Sequence, residues 1–298
     1  MYFQVDSLLE RKLNEWSKPA SNTEEEKCEN AIRMIRGALN NSDKLKNLEI
    51  KLIPKGSYHN NTNVRLTSDV DIAVRLTDTF FQYYPNGKTH EDFGNIQSNY
   101  SFKDYRRDVE EALINKFNSW NIDSGDKAIR INSNTYRVDA DVVPCFEYRR
   151  YHEDGTYELG TSFITQKSSI MVINYPEQHY TNGVQKNNVT YRRYKRVVRI
   201  FKRIKYMLID NGYSLDNISS FLIECLIWNV PNNRFNHSSI SEDVSSCFHY
   251  LISNTATDEL CKDWGEVSEL LYLFNSQRKY TRSEVHDFLN TAYVQLFK

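Results

Sequence analysis

Glycine and proline are scarce, 10 and 6 in 298 residues. That excludes Gly-rich repeats, collagen and long Pro-rich linkers. An excess of charge of one sign is also missing: Lys plus Arg (38) and Asp plus Glu (39) leave a net charge of −1. Wholesale basic coating for stable DNA binding is therefore not expected, although a local patch is compatible with the total. No apolar run approaches the roughly 20 residues that cross a bilayer, so no membrane partner is expected. The N-terminus, with Asp6, Glu10 and Arg11 close together, does not read as a secretory signal, which points to the cytoplasm. The five cysteines, Cys28, Cys145, Cys225, Cys247 and Cys261, are widely spaced and contain no C-x-x-C. They read as buried thiols, not a zinc framework. H-E-x-x-H, nucleophile-elbow and Walker-type patterns are absent too.

What remains, 40% hydrophobic and 26% charged residues, is a globular profile long enough for one large domain or two ordinary ones. The first 50 residues read as helix. Ser21 or Asn22 can cap a start, and Glu24, Glu25 and Glu26 suit the helix dipole. Cys28, Ala31, Ile32, Ile35, Ala38 and Leu39 make an apolar stripe. Leu48, Ile50 and Leu52 then alternate as in a strand, with Pro54 expected to end it. Thr67 to Leu76 is a second strand with period 2. Residues 77–100 are turn-rich and aromatic, and Phe102 to Phe117 is an amphipathic helix. Lys127–Ile131 and Tyr136–Val143 read as a hairpin, and a second hairpin is expected over Phe146–Thr161. After Ser168 the strand signal fades. Helices are expected over Thr190–Leu208, Ile218–Trp228, Glu242–Ser253, Asp258–Phe274 and Ser283–Leu296. The fold class is therefore α+β: a mixed part over 1–165 with a long N-terminal helix, and a helical part over 166–298 that closes a cleft.

The stretch GSYHNNTNVRLTSDVDIAV, Gly56 to Val74, carries the chemistry. Asp69 and Asp71 are two apart on a strand, so their carboxylates leave one face while Val70, Ile72 and Val74 leave the other. Adjacent carboxylates repel unless a divalent cation sits between them, and hard oxygens suit Mg²⁺. The strand YRVDADVV offers a third acid, Asp139 or Asp141. Such a trio can hold two metals in phosphoryl transfer. A tight turn at Gly56-Ser57 exposes backbone N–H groups and a hydroxyl to a phosphate. A bare Gly-Ser is no signal, but Gly-Ser followed by Asp-x-Asp in a strand is fairly specific.

These residues resemble the nucleotidyltransferase superfamily of polymerase beta, poly(A) polymerase and the oligoadenylate synthases. Downstream, INYPEQHYTNGVQKNN (173–188), a basic helix and SSFLIECLIWNVPNN (219–233) are similar to the bacterial cGAS/DncV-like nucleotidyltransferases, closest to the CdnE-type clade. The resemblance implies a polymerase-beta-like palm packed on a helical domain, two Mg²⁺ ions (or Mn²⁺), and nucleoside triphosphates such as ATP or UTP as substrates. It also implies a cyclic di- or trinucleotide product that activates a downstream anti-phage effector. It assigns the third acid to Asp141, because DVVPCF is similar to the oligoadenylate-synthase strand that carries that ligand. It gives Lys202 and Ser220 to the triphosphate, beside Gly56 and Ser57, and gives Asn174 to a base edge in a clade that favours uracil. His179 and Lys186 read as loop packing and surface charge, and Phe221 as core.

Tyr191 to Lys205 holds eight basic residues and no acid, for which phosphate contact or a solvated face are the competing readings. Rival functions are nucleotide transfer to an RNA end or small acceptor, and an inactive nucleotide- or RNA-binding module.

Overall fold

The computed structural model of the chain describes residues 7–19, 22–64, 69–275 and 278–297, with backbone alone for 22–24. Ser21, the side chains of Asn22 and Glu24, and the expected strand start at Thr67 lie outside the described residues. In chain order the elements are α1 (Ser7–Trp16), α2 (Asn22–Asn40), β1 (Ile50–Lys55), α3 (Gly56–His59), β2 (Val70–Tyr83), α4 (Phe102–Phe117), β3 (Ile122–Ser124), β4 (Ile129–Ile131), β5 (Ala140–Tyr151), β6 (Tyr157–Ile164), β7 (Met171–Asn174), α5 (Pro176–Val189), α6 (Arg193–Asp210), α7 (Ser220–Trp228), α8 (Ile240–Asn254), α9 (Asp258–Cys261) and α10 (Arg282–Phe297). No described helix is long and apolar enough to cross a membrane.

The chain forms two compact units. One comprises Ser21–Tyr58 and Leu66–Pro176; the other comprises Met1–Ala20, His59–Arg65 and Glu177–Lys298. This division differs from the one expected near residue 165. The short run Met171–Asn174 is a strand that pairs with β6 (Phe163 opposite Val172) and so stays with the sheet. Four residues give too little alternation to be seen in sequence. At the other end, Leu13 of α1 is fully buried in the core of the helical unit.

In the sheet unit the strand order is β1-β2-β5-β4-β3, with β6 on β5 and β7 on β6. The central pair, β2 and β5, is parallel, and parallel neighbours need a long crossover, here one that contains α4. Ile72, Val74 and Leu76 of β2 are buried with Val142 and Phe146 of β5, Ile35 of α2 and Val109 of α4. One face of the sheet is thereby committed to packing, and alternation sends Asp71 the other way. Pro54 does not end β1: it pairs with Ile72 inside the strand. β1 lies at the sheet edge, where a residue without an N–H costs no ladder bond. The β4–β5 hairpin and the β5–β6 hairpin both form, Ile131 opposite Ala140 and Tyr151 opposite Tyr157.

In the helical unit, the expected helix over 258–274 shrinks to α9. Beyond it the backbone turns back on itself, with Glu266 N–H donating to Leu271 O (2.9 Å) and Leu273 N–H to Trp264 O (2.7 Å). Trp264, Val267 and Leu273 are buried from this irregular segment. α5 was not foreseen, because the side of it that is buried carries His179, Gly183 and Lys186 in place of an apolar stripe. All five cysteines are buried thiols, none of them in a disulfide.

Lys186, expected at the surface, is buried. Its ammonium donates to Val230 O at 2.8 Å and lies 5.1–5.8 Å from the ring centres of Trp228, Phe235 and Tyr194. Burial pulls it down from 10.5 to about 8. Between those values the unfolded chain binds the extra proton, so this group makes stability rise with pH from about 8 to 10.5. Lys186→Met should remove that rise, a difference on the order of 3 kcal/mol across the window. Denaturant midpoints of both proteins at pH 7.5 and pH 10 measure it; parallel pH profiles would refute the assignment.

Candidate active site

The register of β2 on β5 brings two of the three predicted acids side by side. Val70 lies opposite Ala140 and Asp71 opposite Asp141 in adjacent parallel strands. Asp69 stands two residues before Asp71, immediately ahead of β2. On the other flank Lys55, the last residue of β1, is the cross-strand partner of Asp71. Burial pushes the Asp71 carboxyl up to about 6, with Asp141 and Asp69 adding to the rise and Lys55 opposing it. Burial also raises Asp69, against the pull of Arg130.

Gly56 bridges β1 to the single turn α3, at φ +73°. A Cβ added here would fall on the Asp71 carboxylate. The Gly-Ser turn is thus packed directly against the acid. Ser57 follows as the second residue of α3.

Asp139 is placed differently from Asp141. It precedes β5, and both of its oxygens are engaged: Oδ1 accepts from Ser133 N–H, and Oδ2 accepts from Arg130 at 2.8 Å. Arg130, on β4, is the cross-strand partner of Asp141 and also lies 3.3 Å from Asp69 Oδ2. Sequence reading missed Arg130, though KAIRI carried the signal. Ile129 and Ile131 point to the core, so the residue between them faces the acids.

Asn174 is the last residue of β7. Thr161 Oγ1 donates to its carbonyl at 3.4 Å, and Gly160 leaves room for that carbonyl and for the Tyr175 ring, 2.8 and 3.0 Å from where a Cβ would stand.

In the helical unit Lys202 is 1% exposed. Its ammonium donates to Glu224 Oε2 at 3.0 Å and to Thr62 Oγ1 at 2.8 Å. Glu224 also accepts from Thr62 (2.8 Å) and lies 3.1 Å from His179 Nε2. Burial alone would push the Glu224 carboxyl up, but Lys202, His179 and Thr62 outweigh it and hold it well below the usual range. A lone acid in FLIECLI was the legible sign of this buried network. Ser220 opens α7 with its hydroxyl 3.5 Å from Tyr206 OH. Phe221, expected in the core, is 39% exposed beside His179.

The basic helix is less uncompensated than its sequence. Arg193 pairs with Asp243 at 2.6 Å. Arg196 donates to Asn14 Oδ1 (3.0 Å) and Ser17 Oγ (3.3 Å), and Arg199 to the carbonyls of Ser17 (2.7 Å) and Asn61 (2.5 Å). Much of its charge is spent on fastening α1 and residue 61 to α6.

Among the described residues no group of three or more Asp, Glu, His or Cys side chains is drawn together as a finished metal site. The donor set nevertheless fits a hard divalent cation: three carboxylates, two of them strained upward in pKa by burial and by one another.

Residues 181–296 match the C-terminal helical domain of the cGAS/DncV-like nucleotidyltransferases. The cyclic dipyrimidine nucleotide synthase CdnE of Cecembia lonarensis is 46% identical over 282 residues, 94% of this chain and 95% of that protein. The chain belongs to the cGAS/DncV-like nucleotidyltransferases, in their CdnE group. Solved structures agree. The Elizabethkingia meningoseptica CdnE cyclic dinucleotide synthase, determined with GTP and Apcpp, superposes with a TM-score of 0.80 at 35% identity, covering 97% of this chain and 99% of that one. The Rhodothermus marinus CdnE c-UMP-AMP synthase, determined with Apcpp and Upnpp, gives 0.86 at 28% identity, covering 97% and 96%. The α+β fold expected from the sequence, a mixed sheet with a helical C-terminal domain, is that of this CdnE group.

Proposed function

We propose that this CdnE-group enzyme joins two or three nucleoside triphosphates into a cyclic nucleotide, a cytoplasmic second messenger for an anti-phage effector. The observation that carries the reading is the Asp71–Asp141 register beside Gly56, with Asp69 two residues away. Asp69, Asp71 and Asp141 are the ligands for two Mg²⁺ ions, with Mn²⁺ a substitute. Bound there, the ions supply Lewis-acid stabilisation of charge on the phosphates and on the attacking oxygen. A 2′- or 3′-hydroxyl oxygen bonds to the α-phosphorus of a triphosphate, the bond to the β-phosphate oxygen breaks, and pyrophosphate leaves. Asp141 orients the hydroxyl and receives its proton. A second round closes a dinucleotide ring, and a third closes a trinucleotide ring.

Gly56 and Ser57 contribute backbone N–H groups and a hydroxyl to the triphosphate. Lys202 and Ser220 are the helical unit's candidates for the same role. For Lys202 this requires exchange of the Glu224 carboxylate for a phosphate oxygen, since its ammonium is already paired.

Purified protein incubated with labelled nucleotides and Mg²⁺ should give a phosphatase-resistant product without added RNA. Product only with RNA would favour transfer to an acceptor; tight nucleotide binding without turnover would favour a silent module. Asn174 offers an amide that can read a base edge with donor and acceptor together, and the Cecembia lonarensis relative is a dipyrimidine synthase. Asn174→Ala should therefore lower uracil incorporation from an equimolar four-nucleotide mixture by about tenfold, the worth of a base-edge hydrogen bond. Mass spectrometry of the product reads the ratio, and an unchanged base composition would remove Asn174 from base selection.

A further inference from the structure

We infer that Arg130 is a built-in counter-cation that competes with metal for Asp69, and that Asp139 is the berth that draws it aside. This rests on the reading of Asp69, Asp71 and Asp141 as metal ligands.

One nitrogen of the Arg130 guanidinium lies 3.4 Å from Asp69 Oδ1 and 3.3 Å from Asp69 Oδ2. Straddling both oxygens, it covers the lone pairs an entering cation needs. The same residue is the cross-strand partner of Asp141. In the free protein, then, a fixed positive charge stands among carboxylates that would otherwise repel one another.

Asp139 offers the same guanidinium a closer contact, 2.8 Å to Oδ2. Its other oxygen is fixed by the Ser133 backbone, so the carboxylate is held in place on the Asn132–Asn134 turn. Arg130 is thus shared unequally, and a cation arriving at Asp69 leaves it with Asp139. Asp139, the first acid of the DAD sequence, acquires a role distinct from ligation. Arg130 and Asp139 are positioning residues, and what they set is the ease of metal entry.

Opposite shifts in metal affinity follow. Arg130→Gln removes the competitor and should tighten Mn²⁺ binding to the full-length protein, without nucleotide, by roughly three- to fivefold, the scale of a partly exposed ion pair. Asp139→Asn deprives Arg130 of its berth, turns it onto Asp69, and should weaken Mn²⁺ binding by a similar factor. The double variant should match Arg130→Gln, because without the arginine the berth has nothing to hold.

Free Mn²⁺ followed by electron paramagnetic resonance gives the affinities directly, and circular dichroism confirms that each variant is folded. Equal affinity in the wild type and Arg130→Gln, or a double variant that follows Asp139→Asn, overturns the inference while leaving the metal site standing. Wild-type binding that Asp71→Asn does not reduce overturns the metal reading, and the inference with it.

Discussion

Asp141→Asn should lower nucleotide joining at least about a thousandfold while leaving the melting temperature almost unchanged. The residue sits in β5, whose core contacts come from Ala140, Val142 and Val143, so the amide disturbs no packing. Replacing one of several crowded carboxylates also relieves repulsion, which offsets any loss of local hydrogen bonding. Asp139→Asn should be milder, because Asp139 touches Arg130 and Ser133; the metal-affinity loss described above is a few-fold, not a loss of the site. Comparing the initial rates of the two variants at saturating Mg²⁺ and triphosphate separates them. An inactive Asp139→Asn beside an active Asp141→Asn would keep the strand and overturn the choice of third acid.

That choice marks the boundary of what sequence could supply. Alternation in YRVDADVV places Asp139 and Asp141 on one face and cannot rank them, because both satisfy period 2 equally. The ranking comes from the resemblance; in the structure Asp71 lies opposite Asp141, while Asp139 lies before the strand begins. Register between β2 and β5 is a long-range quantity, set by packing of elements some seventy residues apart in sequence. Asp69 and Asp71, by contrast, stand two apart at the start of β2, so their spacing can be read locally.

The same distinction explains the other differences. The strong stripes of α2, α4, α6 and α10 were visible because apolar periodicity reports burial directly. β7 and α5 escaped because the first is short and the second buries polar side chains. The basic run in α6 looked unpaired because its partners Asn14, Ser17, Asn61, Glu224 and Asp243 are distant in sequence and mostly neutral. Charge counting within a window registers acids nearby and is blind to carbonyls and amides elsewhere.

Gly56→Ala should be the most damaging single-methyl change in the sheet unit. Two penalties coincide at this position. The φ of +73° disfavours any L side chain by roughly 1–2 kcal/mol. The added Cβ would also fall on the Asp71 carboxylate, 2.9 Å from its Cγ and 3.2 Å from its Cβ. The backbone has little freedom to retreat, since Lys55 just before it is paired with Asp71 itself. The carboxylate must therefore rotate, and a ligand displaced by about 1 Å costs on the order of a hundredfold in turnover. Gly37→Ala supplies the control. Nothing lies within 4 Å of a Cβ there, in the last turn of α2, so that variant should gain up to about 1 kcal/mol of stability and keep its rate. Thermal melts and initial rates of product formation on both proteins make the comparison. A Gly56→Ala enzyme with undiminished turnover would mean that the tight approach of the turn to Asp71 does not set the geometry of the acids.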